Sequence, residues 1–480
     1  MKSNAKVFPI MSNSYAQWRL RAGILPALHE GPETPSERLL QMIWFHQRLL
    51  RDRFVTLDGR RVQVLHPGFW NHESGPDFSR AVVQFDAEAP STGDVEIDLA
   101  AGGWQAHKHH SNPAYEKVIL HVVWEGAART SLPTLALKGL LDSPVGELAQ
   151  WLGNEPSFPG ALTGGCCAPL GQLAPDQLSE LLRQASLVRL RSKAAQFQAR
   201  ARQAGWEQAL WEGLFRGLGY KRNLWPMQRL AELRPRWTQE GSALDASMLE
   251  ARLLGIASLL PNELTRGASG ADGYLRVIWD YWWRERERFS DCLLPERLWH
   301  FSGLRPANHP QRRLALAARW LERGDLMARL EKWCALTVEP EHLVETLLAE
   351  LRVAEVDFWS RHWTVRSPRL PKPQAMIGTA RVTDLAVNVI LPWLWMRAVE
   401  GKSQRLQEEL ERRYLAWPPA QDNAVLRLAR YRLFGGLNAR RLSGAAAQQG
   451  LLQVVRDFCE HSNSLCADCP FPELVRQWQP

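Results

Sequence analysis

Long apolar runs are missing from this 480-residue chain. No window approaches 18 uninterrupted apolar residues, which argues against a membrane span. Cysteine is sparse, seven in all, too few for the disulfide framework of a secreted scaffold. The N-terminal stretch MKSNAKVFPIMSNSYAQW has neither a long apolar segment nor a small-residue cleavage site, so no secretory signal is expected and the cytoplasm is the expected compartment. There is no glycine-rich phosphate loop of the P-loop or dinucleotide type and no G-x-S-x-G elbow, which leaves ATPase, dehydrogenase and α/β-hydrolase readings without support. No fixed-period repeat points to a solenoid.

What is present fits two or three globular domains. Hydrophobic residues make up 45% and charged residues 23%, ordinary proportions for a protein with sizeable cores. Lys+Arg exceed Asp+Glu by 59 to 51, a formal +8. That excess suits a polyanion partner such as DNA or RNA, but over this length it does not require one. The 22 Trp read as core and helix-packing residues.

The stretch His66 to Gly126 organises the rest. Asp77 follows a Gly75-Pro76 turn and opens an alternating run with Phe78, Ala81, Val83 and Phe85. A Pro90–Gly93 turn then leads to Asp94-Val95-Glu96-Ile97-Asp98. Val95, Ile97 and Leu99 share one strand face, so Glu96 and Asp98 share the other. Neighbouring strands that carry carboxylates can hold a hard divalent cation, which prefers several anionic oxygens in a small volume.

Before this stretch, residues 1–33 read as an N-terminal arm. A helix is predicted from Thr34, with Thr34 as N-cap, Pro35 at the first helical position and Glu37 closing a capping box. Leu39, Leu40, Ile43 and Trp44 follow at helical spacing. Asp58-Gly59 between Phe54–Leu57 and Arg60–Leu65 signals a hairpin. After the acidic strands, Trp104–Lys117 reads as a short helix or ordered loop, VILHVVW (Val118–Trp124) as a strong strand, and Thr134–Leu137 as another. Beyond Pro175 the pattern turns helical, with helices expected at 175–203, 205–218, 224–234, 246–259, 272–288, 311–322, 325–337, 340–357, 383–399, 402–415 and 421–432.

The string PD, hairpin, E-x resembles the PD-(D/E)XK nuclease superfamily. The wider pattern GPDF…GDVEI…H…VILHVV looks like an uncharacterised bacterial family with a divergent core of that kind, most densely over residues 35 to 126. The resemblance implies an α+β fold with a mixed, largely antiparallel sheet over residues 35–165, followed by a large, mainly α-helical domain over 170–455. It implies that Asp77 and Glu96 hold Mg²⁺ or Mn²⁺ together with the main-chain carbonyl of Ile97, and that the chain hydrolyses phosphodiester bonds of DNA or RNA. Glu37 also comes within its scope, since such nucleases often add a helix glutamate, although the capping role is the stronger reading.

One departure stands out. The superfamily's lysine position is occupied by Asp98, which can act as an extra ligand or a general base but carries no positive charge. The loop QAHKHH offers substitutes in His107, Lys108, His109 and His110, because a histidine can be a base near neutral pH or a metal ligand. His107 and His109 are the expected members of the site. His66, Asn71 and His72 are further candidates for lining it, whereas His121 reads as a hydrogen-bonded core histidine. Zinc competes with the hard ions wherever histidines contribute. A catalytically inactive nuclease fold that binds nucleic acid or protein is the alternative function.

A second constellation lies at the C-terminus, over residues 456–480: Cys459-x6-Cys466-x2-Cys469-Pro470. Clustered thiolates favour an iron–sulfur cluster or zinc. The spacing resembles the first three ligands of the 4Fe-4S loop in the endonuclease III and adenine glycosylase group, but the fourth position is Val475. Cys166, Cys167, Cys292, Cys334 or His461 would have to complete the shell. Arg189, Arg191, Lys193, Arg312, Arg313, Arg440 and Arg441 are candidates for tracking a phosphate backbone, most of them expected on solvated helix faces.

Overall fold

The computed structural model describes residues 13–21, 34–71, 75–107, 109–126, 132–152, 166–220, 222–238, 245–263, 271–301, 304–353, 357–422, 424–435, 444–459 and 469–478. The chain divides into two compact units, one formed by Met1–Ala199 with Tyr414–Pro480 and the other by Arg200–Arg413. The fold is α+β: a six-stranded mixed sheet in the N-terminal part is followed by a mostly helical region.

In the first unit the described elements begin with α1 (Ser14–Arg21), α2 (Glu37–His46), β1 (Val62–His66), β2 (Phe69–Trp70), β3 (Phe78–Phe85) and β4 (Ser91–Ala100). They continue with α3 (Gly103–Ala106), β5 (Val118–Glu125), β6 (Thr134–Ala136), α4 (Val145–Leu152), α5 (Cys167–Gln172) and α6 (Pro175–Ala204). The sheet order is β1-β3-β4-β5-β6, with β2 also on β3. β1, β3 and β4 pair antiparallel, while β5 runs parallel to β4 and β6 parallel to β5. A helix, antiparallel strands, a short crossover and a further strand are thus in the order that periodicity predicts, and the structure adds that the further strand runs parallel to β4.

Alternation explains the layering. Val95 and Ile97 of β4, Val83 and Phe85 of β3, and Leu120 and Val122 of β5 turn into one core. Leu40, Ile43 and Trp44 of α2 and Leu148 of α4 cover it. α2 is fixed at its end by the Trp44 indole N–H, which donates to the Pro67 carbonyl at 2.9 Å. The opposite face of β4 presents Glu96 and Asp98, and the β4–β5 crossover closes over them. The hairpin expected at Asp58-Gly59 is there in reduced form: Gly59 takes φ +90, but its first arm contributes only the bridge Val55↔Arg61.

The start of α2 differs from expectation. Ser36, not Thr34, is the N-cap, and its hydroxyl accepts from the Leu39 N–H. Glu37 is therefore the first helical residue and closes no capping box. Ser36 takes the role because Pro35 leaves the residue after it free to adopt the extended cap conformation (φ −68, ψ 154) and because serine is the better cap.

A second core in the same unit gathers Tyr15 and Trp18 of α1, Leu181 and Leu182 of α6, Leu451 and Val454, and Phe471 and Trp478. The Tyr15 hydroxyl donates to Asp457 Oδ2 at 2.9 Å, and Arg19 pairs with the same oxygen at 2.9 Å. The helix Ala445–Val454 crosses α6 so closely that a methyl group on Gly450 would lie 2.3 Å from the Leu182 carbonyl oxygen and 3.0 Å from its main-chain carbons. Main chain cannot step aside as a side-chain tip can. Gly450→Ala is expected to cost about 2 kcal/mol and to lower the thermal midpoint by several degrees in a circular-dichroism melt; an unchanged midpoint would show that the helices are not in contact there.

The second unit is built of helices, including Trp206–Gly219, Ala246–Ile256, Pro310–Arg323, Leu326–Ala335 and Leu343–Leu351. Trp237, Trp320, Trp333, Trp359, Trp393 and Trp395 are fully buried in it, as the tryptophan content implies. One described helical stretch, Thr379–Glu400, is long and apolar enough to cross a membrane, but 78% of its most apolar window is buried inside the protein. Its apolar side chains are core.

Candidate functional site

The acidic residues meet at the β3–β4 junction. Gly75 at φ +115 and Pro76 turn the chain into β3, and the Asn71 amide ties that turn by donating to the Pro76 carbonyl at 3.0 Å. Asp77 is thereby held against β4: its N–H donates to Glu96 Oε2 at 3.1 Å, and its Oδ2 accepts from the Ile97 N–H at 3.0 Å. Its Oδ1 accepts from the Gln41 side chain at 2.8 Å. Gln41 lies one helical turn after Glu37 on α2, so this helix brings two polar side chains to the acids.

The crossover supplies the imidazoles. α3 is followed by two single 3₁₀ turns, His109–Ser111 and Pro113–Tyr115. His109 stacks on Tyr115 with ring centroids 4.0 Å apart, and Trp104 meets both rings edge-on, 5.4 Å from His109. This stack sets His109 Nε2 3.3 Å from Glu96 Oε1. The approach lacks the alignment of a hydrogen bond, and Nε2 is buried with no hydrogen-bond partner. His107, on the exposed rim, places Nδ1 3.4 Å from Asp98 Oδ1. His121 on β5 is 1% exposed and sets Nε2 2.9 Å from Asp98 Oδ2. An ionised carboxylate only accepts, so His121 donates and fixes the orientation of Asp98.

Asp98, His107 and His109 each offer one ligand atom within 4.8 Å of the others. Two ligands of one ion, each about 2.1 Å from it, lie at most about 4 Å apart, so a small side-chain rotation closes the set. Gly103 makes room: a Cβ there would fall 2.4 Å from Asp98 Oδ1 and 2.5 Å from its Cγ. Gly103, Gln41, Trp104 and Tyr115 join the site without being singled out by the sequence pattern. A glutamine four residues after Glu37 on one helix face is the available signal for Gln41; nothing in the pattern marks Gly103.

Burial and mutual repulsion dominate the electrostatics. Burial pushes Asp77 up to about 7, with Glu37 and Asp98 adding to the rise and the Ile97 N–H and Gln41 opposing it. Burial, and then the Asp77 charge, push Glu96 up to about 8. Glu37 is raised by burial and by Asp98, so it belongs to the electrostatic cluster although it is exposed. Burial lowers His109, which favours a neutral ring with a lone pair to give. Tyr115 is pushed up to about 12 by burial and the same carboxylates. Carboxylates that repel one another, beside an unsatisfied imidazole nitrogen, form a donor set that a divalent cation fits.

Other candidates fall elsewhere. His66 accepts from the Gly68 N–H through Nδ1 at 3.0 Å and packs tilted against the Phe69 ring, holding a turn. His110 is exposed. His72 and Lys108 lie outside the described residues. Arg312 and Arg313 are not on a solvated face: they are 1% and 4% exposed. They donate to the main-chain carbonyls of Trp359, Gln374, Ala375 and Met376, so they clamp loops and reach no phosphate backbone. Arg189 and Lys193 hydrogen-bond Gln449 at 2.8 and 3.0 Å. Arg440 and Arg441 lie outside the described residues.

The C-terminal cysteines are only partly described. Cys459 ends the helical stretch that runs on from Ala445–Val454, and the Cys469 thiol lies 3.9 Å from the Phe458 carbonyl; Cys466 and His461 lie outside the described residues. Among the described residues no group of cysteines converges. Cys166, Cys292 and Cys334 are buried, and burial pushes the Cys334 thiol up to about 11 and raises that of Cys292, which disfavours the thiolate that ligation needs.

Residues 37–423 match the family described as "Protein of unknown function (DUF2851)", and the chain belongs to that family. No curated protein and no solved structure matches it.

Proposed function

We propose that this family member is a metal-dependent phosphodiesterase acting on DNA or RNA in the cytoplasm, with a divergent PD-(D/E)XK core. The observation that carries the reading is the interlock of Asp77 with β4. Its N–H meets Glu96 and its carboxylate meets Ile97 across adjacent strands, which brings two carboxylates to one point beside an exposed rim. In an extended strand the N–H and C=O of one residue face the same edge, so the Ile97 carbonyl faces the Asp77 side as well. These three groups would hold Mg²⁺ or Mn²⁺. The ion supplies charge to the phosphate and lowers the pKa of the attacking water.

The chain's own residues do the positioning. Gln41 and the Ile97 N–H fix the Asp77 carboxylate, and His121 fixes Asp98. His107, exposed beside Asp98, stands at the rim where water and substrate enter. The test is cleavage of single- and double-stranded DNA and RNA with Mg²⁺ or Mn²⁺, in the wild type and in Asp77→Ala. Loss of about a thousandfold or more in the variant is expected, from several kcal/mol of metal-linked stabilisation. Cleavage that Asp77→Ala leaves unchanged, or no cleavage at all, would overturn the reading and favour a binding module.

A further inference from the structure

We propose that the site takes two cations, the second a transition-metal dication held by Asp98, His107 and His109. This rests on the acidic site being a cation site, and it assigns a different ligand set and a different class of ion from the first. The donors decide the class. Asp77, Glu96 and a main-chain carbonyl are all oxygen and suit a hard ion, whereas two imidazoles with one carboxylate suit Zn²⁺ or a neighbouring first-row metal.

Four observations converge on the second position. The three ligand atoms lie within 4.8 Å of one another. His109 Nε2 is buried and has no hydrogen-bond partner, and an unsatisfied buried nitrogen is costly unless something binds it. Asp98 is already oriented from behind by His121 at 2.9 Å, the outer support that metal-ligating carboxylates usually have. Glu96 faces both positions, with Oε2 toward Asp77 and Oε1 3.3 Å from His109 Nε2, so its two oxygens are split between the two ions.

The second ion also answers the missing lysine. With Asp98 at that position, a bound dication would supply the positive charge, and His107 and His109 stand beside Asp98 and Glu96 to hold it. A polar loop that meets metals by accident would not bury one of its imidazoles against the carboxylate of the other site.

The test is Zn²⁺ and Co²⁺ binding to the metal-stripped full chain, followed by equilibrium dialysis with elemental analysis and by visible absorption of the Co²⁺ form. Wild type is expected to retain one more equivalent of Zn²⁺ than either His109→Ala or His107→Ala, with affinity at this position falling by roughly a hundredfold or more. The Co²⁺ ligand-field bands are expected to persist in Asp77→Ala and to be lost in both histidine variants. His107 has a side chain 56% exposed, so its variant folds even if His109→Ala does not. Equal stoichiometry and an unchanged Co²⁺ spectrum in His107→Ala, or no tightly held Zn²⁺ in wild type, would overturn the proposal. Zinc bound as expected in a protein that cleaves no nucleic acid would leave it standing and remove the phosphodiesterase reading instead.

Discussion

Glu96→Gln is expected to abolish metal-dependent cleavage and, in the same protein, to raise the thermal midpoint of the metal-free form at pH 8. The first effect follows from losing a ligand oxygen with its charge, on the order of a thousandfold or more in rate. The second follows from the state of the group. Unfolded, the carboxyl titrates near 4.5; folded, burial and the Asp77 charge hold it near 8. The folded protein therefore binds a proton that the unfolded chain releases above pH 4.5, and stability falls as pH rises from there to about 8. Glutamine has no such proton, and its side-chain oxygen still accepts the Asp77 N–H. The variant should match wild type near pH 4.5 and exceed it by about 4 kcal/mol at pH 8 in the presence of a chelator. Thermal melts at the two pH values read the difference directly. Coincident midpoints at pH 8 would mean that position 96 carries no buried charge.

Strand alternation requires Glu96 and Asp98 to share the face opposite Val95 and Ile97, and the Gly75-Pro76 turn announces Asp77, so the acids could be placed by period and turn chemistry alone. His121 could be read as a hydrogen-bonded core histidine because it interrupts an apolar strand. Glu37 and Gln41, four residues apart, share one face of α2 whichever residue caps it, but the period alone does not say that this face meets the acids, because that depends on how the helix packs on the sheet. Arg312 and Arg313 misled for a related reason. Sequence counts them as charge, while tertiary packing uses their planar donors to satisfy loop carbonyls. The burial of Tyr15 and Trp18 depends on partners more than 400 residues away, such as Asp457, and no local pattern reports such a partner.

Gly103→Ala separates position from stability most sharply. Alanine is the better helix former by about 1 kcal/mol, and Gly103 needs no left-handed backbone, so propensity alone would favour the variant. The added methyl, however, would lie 2.4 Å from Asp98 Oδ1 and 2.8 Å from its Oδ2. Asp98 is 3% exposed and already hydrogen-bonded to His121, and the Trp104 ring packs 5.6 Å from the His121 ring. The carboxylate cannot withdraw toward β5, so it turns or the crossover lifts, and either way its 3.4 Å approach to His107 is lost. Cleavage is expected to fall by about a hundredfold, at the upper end for a displaced ligand or its support, while the thermal midpoint changes little because gain and clash offset each other. Steady-state rates beside a circular-dichroism melt would measure both. A drop in midpoint with activity intact would show that Gly103 serves folding alone, and that Asp98 need not stand where His121 holds it.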